Sequence, residues 1–412
     1  MAENERVIAQ REIDETLSKC NIFMRLNGLS FIDAPPKTTQ DKIKVYFAFV
    51  VSSSLLFWML VGEFAFTVSL LSGSVSVEEI IKSYVHIAGY DSMSFGKFIL
   101  IWYNMSAFRK LVNELSDIWP VTTSDSASAE IKRNSLHALR IMQIFYMFWN
   151  VFGVWMYNLT PIALYLYQLA RGEHSELGYI WHVYYPFDRT KPAVHAFAFL
   201  FEMFGGLSSV NSMLSADILF ITMASHISML LRLLQVKIRA IGTSGQDVHV
   251  EKYKQSQYCY GTIVDAVKIH QRLISYGNDL ENAFTIVNLL NVLLSSVNIC
   301  CVVFSIVFLE PVMEMGNKLF IGAALTQMGV VCWYADDIYR ASAGVADAVY
   351  ESGWYRCDPR CRRALLVLLQ RSQKPLYFTA FKFRPITMIT YSSILTTSYS
   401  YFTLLYTAYR RN

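Results

Sequence analysis

Val45–Leu71 reads VYFAFVVSSSLLFWMLVGEFAFTVSLL, an apolar run interrupted by a single charge, Glu63. A helix needs about 20 mostly apolar residues to cross the hydrocarbon core of a bilayer, so this run is a membrane span. What precedes it is different in kind. Met1–Asn21 mixes Glu3, Glu5, Arg6, Arg11, Glu12, Asp14, Glu15 and Lys19, and it lacks the continuous apolar core of a secretory leader. The run itself is therefore expected to act as the insertion signal.

Six further runs follow. Ile80–Trp102 is the weakest, with Lys82, His86, Asp91 and Lys97 inside it. Leu136–Ala170 is long, with Arg140 near its start and Pro161 toward its far end. Ala193–Ser225 holds Glu202 and Asp217, and its helical pattern continues through Leu230–Leu234. Ala283–Leu309 is uncharged, Leu319–Tyr339 ends on Asp336 and Asp337, and Pro385–Tyr409 is again uncharged. The chain is thus expected to be all-α, a polytopic membrane protein with seven transmembrane helices. Its composition agrees: of 412 residues, 54% are hydrophobic and 17% charged, where a soluble domain carries roughly a quarter charged residues.

The connections set the orientation. Basic residues crowd the amino-terminal arm and the even-numbered loops: Arg109, Lys110, Lys132 and Arg133; Arg232, Lys237, Arg239, Lys252, Lys254, Lys268 and Arg272; and a set running from Arg340 through Arg356, Arg360, Arg362, Arg363 and Arg371 to Arg384. The opposite loops are sparse. The positive-inside rule then predicts a cytoplasmic amino terminus and an extracellular Asn412. Four parts are expected: a cytoplasmic arm, residues 1–44; six spans with their cytoplasmic loops, 45–340; a cytoplasmic anchor segment, 341–384; and a seventh helix with its tail, 385–412.

Several function classes are excluded. A net charge of +4 carries no nucleic-acid footprint. No phosphate loop, zinc-protease helix or nucleophile elbow is present, so neither an enzyme nor a cofactor is expected. Of the seven cysteines, Cys20, Cys259, Cys357 and Cys361 fall on the cytoplasmic side and Cys300, Cys301 and Cys332 in spans, which predicts reduced thiols and no structural disulfide. A zinc site at Cys357 and Cys361 would need partners that the sequence does not offer, so no metal is expected.

Glu63, Asp91, Lys97, Glu202 and Asp217 are costly in lipid and must face protein or water. Either they contact a ligand or line an ion path, or they form buried structural pairs, such as Lys97 with an acid. The last run raises a similar choice. Between Thr390 and Ala408 it is dense in hydroxyls, and Thr390, Ser393, Thr397, Ser400, Leu404, Thr407 and Ala408 recur mostly at helical spacing on one face, opposite Ile394, Leu395, Tyr399, Phe402 and Leu405. A symmetric ring of such helices could enclose a pore with Leu404 as an apolar constriction. Ordinary helix packing through Ser and Thr is the other reading.

Two stretches carry a resemblance. Cys332-Trp-Tyr-Ala-Asp-Asp-Ile-Tyr-Arg-Ala-Ser with Val345-Ala-Asp-Ala-Val-Tyr350-Glu-Ser-Gly-Trp354-Tyr355, and Pro375-Leu-Tyr, Phe383-Arg-Pro and Ser398-Tyr-Ser-Tyr-Phe402, resemble the sixth-span exit and seventh span of insect odorant receptors, with a moth-like flavour. Thr390-Tyr391 is followed by Thr397-Ser398 where the sister gustatory receptors carry Gln-Phe, and the last helix differs from that of the family's co-receptor. The chain thus looks like a ligand-tuning subunit.

The resemblance implies a plasma-membrane protein of an olfactory neuron dendrite. It implies a ligand-gated, non-selective cation channel, formed as a heteromeric tetramer with the co-receptor in contact with membrane lipid. It implies a small volatile ligand, odorant or pheromone, in the outer half of the bundle between spans two, three, four and six, where this chain offers Tyr84, Ile87, Asn150, Gly153, Tyr157, Phe199, Met203, Phe320 and Ala324. It also implies a pore along Thr397, Ser400, Leu404, Thr407 and Ala408, with the gate at Leu404 and Ala408. The rivals are a seven-helix G-protein-coupled receptor, which needs an outside amino terminus against the charge bias, a gustatory-type receptor channel, and a transporter.

Overall fold

A computed structural model describes residues 3–29, 38–71, 85–121, 125–172, 177–181, 183–188, 191–242, 252–308 and 315–411. The elements run α1 (Glu3–Leu26), α2 (Thr39–Leu71), α3 (Val85–Tyr103), α4 (Met105–Ile118), α5 (Ser126–Ala170), α6 (Pro192–Arg239), α7 (Lys252–Phe308), α8 (Met315–Glu351), a short 3-10 turn (Trp354–Arg356), α9 (Pro359–Ser372), β1 (Thr379–Ala380), β2 (Arg384–Pro385) and α10 (Met388–Arg411). The seven spans of the sequence reading correspond to α2, α3, α5, α6, α7, α8 and α10. Four of the described helices, α2, α6, α7 and α8, are long and apolar enough to cross a membrane on composition alone; α3 is interrupted by Asp91 and Lys97, and α10 by its hydroxyls.

The bundle is organised around α6. From Ser208 to Leu231 every residue but Asn211 is buried, and α2, α3, α5, α7 and α8 all pack on it. Small residues make this possible: Gly205, Gly206, Ser208, Ser209, Ser212, Ser215 and Ala216 give neighbouring helices room to approach. Without a difference in polarity between lipid and apolar side chains, such close packing and interhelical hydrogen bonds supply the association energy.

Several boundaries depart from the sequence reading. The fifth span was expected at Ala283–Leu309 after a long basic loop, but α7 is one helix of 57 residues, Lys252–Phe308, about 85 Å long at 1.5 Å per residue and so far longer than a bilayer is thick. Ile263, Ala266, His270, Leu273, Leu280 and Phe284 are buried at helical spacing, so an apolar face continues outside the membrane while the other face carries the charges. The third span likewise begins at Ser126 rather than Leu136. The seventh begins at Met388, not Pro385: Pro385 pairs with Thr379 in a two-stranded hairpin, and the Ile386 amide donates to the Phe378 carbonyl at 2.8 Å, which holds this stretch extended. Residues 80–84 of the second span lie outside the described residues.

The amino-terminal arm is a helix, which the sequence reading did not anticipate. Ala9, Ile13, Leu17, Cys20 and Met24 of α1 recur at three- and four-residue steps and are fully buried. Glu12 accepts from Trp119 Nε1 and from Lys132 Nζ, both at 2.6 Å, tying α1 to the ends of α4 and α5. At the same end, α6, α7, α8, α9 and the hairpin form one packed body. Arg232 pairs with Asp337, Thr379 Oγ1 donates to Glu281, and the Gly353 amide donates to Ile241 O at 2.8 Å. Gly242 takes φ +77 there, and a Cβ on it would meet Gly353 O at 2.4 Å, so only glycine fits.

Candidate ligand cavity and pore helix

At the end of the bundle away from this packed body the helices part around a cavity of about 500 Å³ of empty space, its mouth included. Its walls come from α3 (Tyr90, Asp91), α5 (Asn150, Gly153, Val154, Tyr157), α6 (Gly206, Ser209, Val210) and α8 (Phe320, Ala323), and Trp181 reaches in from the α5–α6 connection. The rings are ordered against one another: Tyr157 stacks on Trp181 at 5.1 Å, and Tyr90 meets Phe320 edge-on at 5.3 Å. Four aromatic rings with glycine, alanine and valine beside them, and polar groups at Asp91, Asn150 and Ser209, make a lining that suits a small, largely apolar molecule.

Glu202 determines how Trp181 comes to lie there. Fully buried on α6, its carboxylate accepts from the backbone amides of Ile180 at 2.9 Å and Trp181 at 3.0 Å, and from Tyr185 Oη at 3.3 Å, while Trp181 Nε1 donates to the Glu202 carbonyl at 3.0 Å. The Tyr184 amide donates to Gly62 O on α2 at 3.0 Å. A strap, residues 177–188 apart from 182, is thereby folded down over the cavity. Under it Met59, Ile180, Trp181, Val183 and Phe199 form a separate apolar cluster. A carboxylate that receives this many charge-assisted hydrogen bonds has its desolvation offset.

Of the residues expected to meet a ligand, Asn150, Gly153, Tyr157 and Phe320 line the cavity. Phe199 and Met203 belong to the cluster beneath the strap. Ala324 packs into the main core while its neighbour Ala323 faces the cavity. Tyr84 lies outside the described residues, and of Ile87 only the backbone of α3 is described. The sequence reading did not single out Tyr90, Val154, Trp181, Gly206, Ser209, Val210 or Ala323 as lining residues. Asp91 it did single out, as a charge in a span, and the Gly205-Gly206 pair in the middle of a span was a visible sign of close approach.

The other intramembrane charges separate into two groups. Lys97 Nζ lies 2.6 Å from Asp217 Oδ1 with both side chains buried. Tyr146 Oη donates to Asp217 Oδ2 at 2.7 Å, and Gln327 Nε2 approaches the same oxygen at 3.3 Å. That is the buried structural pair. Glu63 and Asp91 meet each other instead. Asp91 Oδ1 accepts from Ser209 Oγ at 2.5 Å, whereas apart from its hydrogen bond with Asp91 no donor reaches the Glu63 carboxyl.

On α10 the side packed against α7 and α8 carries Thr390, Ile394 and Ser398, all buried. Ser398 Oγ donates to Ser296 O on α7 at 3.0 Å, and Tyr391 Oη to Leu325 O on α8 at 3.3 Å. Thr390, which the sequence pattern grouped with the hydroxyl stripe, therefore faces inward, its Oγ1 donating to Pro385 O at 2.6 Å. Thr397 is half-buried, and Ser400, Leu404 and Thr407 are exposed along one side, Leu404 at 69%. Tyr399, grouped with the opposite face, is exposed as well. The side chain of Ala408 is outside the described residues. The hydroxyls of Thr396, Ser400, Thr403 and Thr407 donate to carbonyls three or four residues back at 2.7–3.0 Å, which satisfies their protons and leaves oxygen lone pairs outward.

At the packed end Cys259 Sγ of α7 lies 3.5 Å from Cys357 Sγ. All seven cysteines are free thiols, and no group of metal-holding side chains occurs among the described residues. Burial pushes the Cys357 thiol up to about 12. Asp358 caps α9, accepting from the Cys361 amide at 2.9 Å and from Ser256 Oγ at 2.8 Å; hydrogen bonds from Cys361, then from Ser256, hold its carboxyl below the ordinary range.

Comparison with known proteins gives this architecture a family. The model of the 7tm odorant receptor family matches residues 76–399. Odorant receptor 85b of Drosophila melanogaster is 27% identical over 326 residues, covering 78% of this chain and 80% of that protein. Odorant receptor 85c of the same fly is 26% identical over 371 residues, covering 87% and 92%. Among solved structures, the olfactory receptor OR5 of the insect Machilis hrabei superposes with a TM-score of 0.82 over 96% of this chain and 98% of that one at 16% identity; its complex with eugenol gives 0.81. With its seven membrane-spanning helices, this chain belongs to the insect odorant receptor family.

Proposed function

We propose that this odorant receptor binds a small, largely apolar volatile in the cavity beneath the strap, and that binding opens a non-selective cation channel formed together with a co-receptor. The observation that carries the reading is the cavity itself: enclosed by four span helices and the strap, walled by Tyr90, Tyr157, Trp181 and Phe320. The solved complex of the Machilis hrabei receptor with eugenol supports a ligand of that size and character.

The channel half of the reading rests on α10. Ser400, Leu404 and Thr407 point away from their own bundle, and the Ser400 and Thr407 hydroxyls suit a neighbouring subunit or a water path better than lipid. In a heteromeric tetramer four such helices would surround one axis, with Thr397 and the outward hydroxyl oxygens available to cations and Leu404 closing the path by excluding water. Ala408 would follow as a second, narrower or wider ring. The amino terminus is cytoplasmic and the carboxyl terminus outside, with residues 341–384 in a cytoplasmic anchor, and the receptor works at the plasma membrane of a sensory dendrite. A ligand that fits the open arrangement better shifts a closed–open equilibrium by its difference in affinity.

The test is whole-cell current during a volatile panel, with this chain expressed alone and with an insect co-receptor. Rapid cation current on co-expression is expected, and Leu404→Ala should raise the resting leak in that assembly. Unchanged resting and evoked currents in Leu404→Ala would remove Leu404 from the gate.

A further inference from the structure

Within the described spans the charges do not balance. Lys97 is committed to Asp217 at 2.6 Å. Glu202 is answered by the Ile180 and Trp181 amides. Glu63 and Asp91 remain: they touch each other, Glu63 is 1% and Asp91 6% exposed, and the donor that reaches them is the Ser209 hydroxyl on Asp91. Apart from its hydrogen bond with Asp91, no donor reaches the Glu63 carboxyl. Burying two carboxyl groups with this little compensation is costly.

Asp91 is also part of the cavity wall, and the rings of Tyr90, Tyr157, Trp181 and Phe320 share that wall with it. Aromatic faces carry negative potential and attract cations, most of all organic ammonium groups away from water. The Asp91 carboxyl and the rings together form one cation-attracting surface, and Asn150 and Ser209 are the other polar residues of the lining. An alcohol or ester placed there would supply at most one donor. A carboxylic acid would meet like charge. An ammonium group supplies the missing counter-charge and several donors at once.

We propose that the ligand of this receptor is a volatile amine, held as an ammonium between the Glu63–Asp91 carboxyl pair and the aromatic wall. This rests on the cavity being the ligand site. Two touching carboxyl groups share a proton, so the amine enters as the neutral, volatile base and takes that proton. One N–H bond forms as one O–H bond breaks, and the pair is left as two carboxylates. No net charge crosses into the bundle, which removes the cost of carrying a bare cation through an apolar mouth.

The experiment compares primary amines with their matched alcohols, from propyl to octyl together with benzyl and phenethyl, on cells expressing this chain with an insect co-receptor. At least one amine should act at a concentration about tenfold or more below its alcohol, the discrimination that an unpaired buried polar site gives between a ligand that satisfies it and one that does not. Glu63→Gln and Asp91→Asn keep shape but remove charge, and each should collapse the amine-to-alcohol potency ratio toward one at unchanged surface expression.

No amine outperforming its alcohol, or a ratio that survives in both variants, overturns the proposal. Gly153→Leu separates this from failure of the cavity itself. Gly153 lines the cavity and a Cβ on it meets nothing within 4 Å, so a larger side chain there starts in open space and takes up cavity volume. If it abolishes alcohol and amine responses alike while the charge variants change nothing, the cavity stands and the amine falls. If it changes neither response, the cavity reading falls with it.

Discussion

Lys97 shows what a single residue contributes in this setting. Its ammonium has no water and one carboxylate, Asp217, which also accepts from Tyr146. Removing one member of a buried pair strands the other at a cost of about 3–5 kcal/mol, whereas removing both charges together is often close to neutral. Lys97→Met is therefore expected to lower the melting temperature of the detergent-purified protein sharply, and the double variant Lys97→Met/Asp217→Asn to recover most of it. Equal losses in the single and double variants would mean that the pair is not the stabilising unit. The existence of such a pair was legible in the sequence, since lone charges in spans must find partners; which acid Lys97 would choose was not. The cavity shows the same limit: Ala324 was expected and Ala323 is there, because one residue is a rotation of about 100° on a helix and a short pattern leaves the angular register of a span open.

At the scale of elements, periodicity was informative where it was followed outside the membrane and misleading where it was not. The buried row from Ile263 to Phe284 shows that α7 is continuous, yet the basic residues of this stretch, among them Lys268 and Arg272 on the exposed face, made it read as a loop. The strap was beyond the reach of periodicity, since its conformation depends on Glu202, a residue of another element. Glu202→Ala is expected to leave the bundle folded and to speed hydrogen exchange of the Ile180 and Trp181 amides by at least an order of magnitude, as bonded amides become open ones; unchanged exchange there would show that the apolar cluster alone holds the strap. His270 gives the packed end of α7 a pH dependence. Burial first, then the Arg371 charge, lower it from 6.5 to about 4. The unfolded chain takes up that proton near 6.5 and the folded one does not until about 4, so between these values the unfolded state binds more protons and stability falls as pH falls. Melting temperature should drop from pH 6.5 toward 4, and less steeply in His270→Gln.

For the whole molecule, the number of spans came from the lengths of the apolar runs, and the fold that results is shared with a receptor only 16% identical over 96% of the chain. Packing of small residues around α6 can be met by many sequences, which explains how so little identity supports a TM-score of 0.82. The exposed side of α10 is left without a partner within the bundle, and the proposed pore would be completed only in an assembly. The orientation is testable directly. Epitope tags on intact cells should stain at the carboxyl terminus and, at the amino terminus, only after permeabilisation; the reverse pattern would restore the G-protein-coupled alternative.

The strap meets the bundle through the carboxylate and carbonyl of Glu202, a backbone bond to Gly62, ring stacking on Tyr157 and His195, and a small apolar cluster. Its backbone anchors fall on two helices, α6 and α2. A change in the spacing of those two helices therefore pulls directly on the segment that carries Trp181, as a drawstring closes or slackens the neck of a bag.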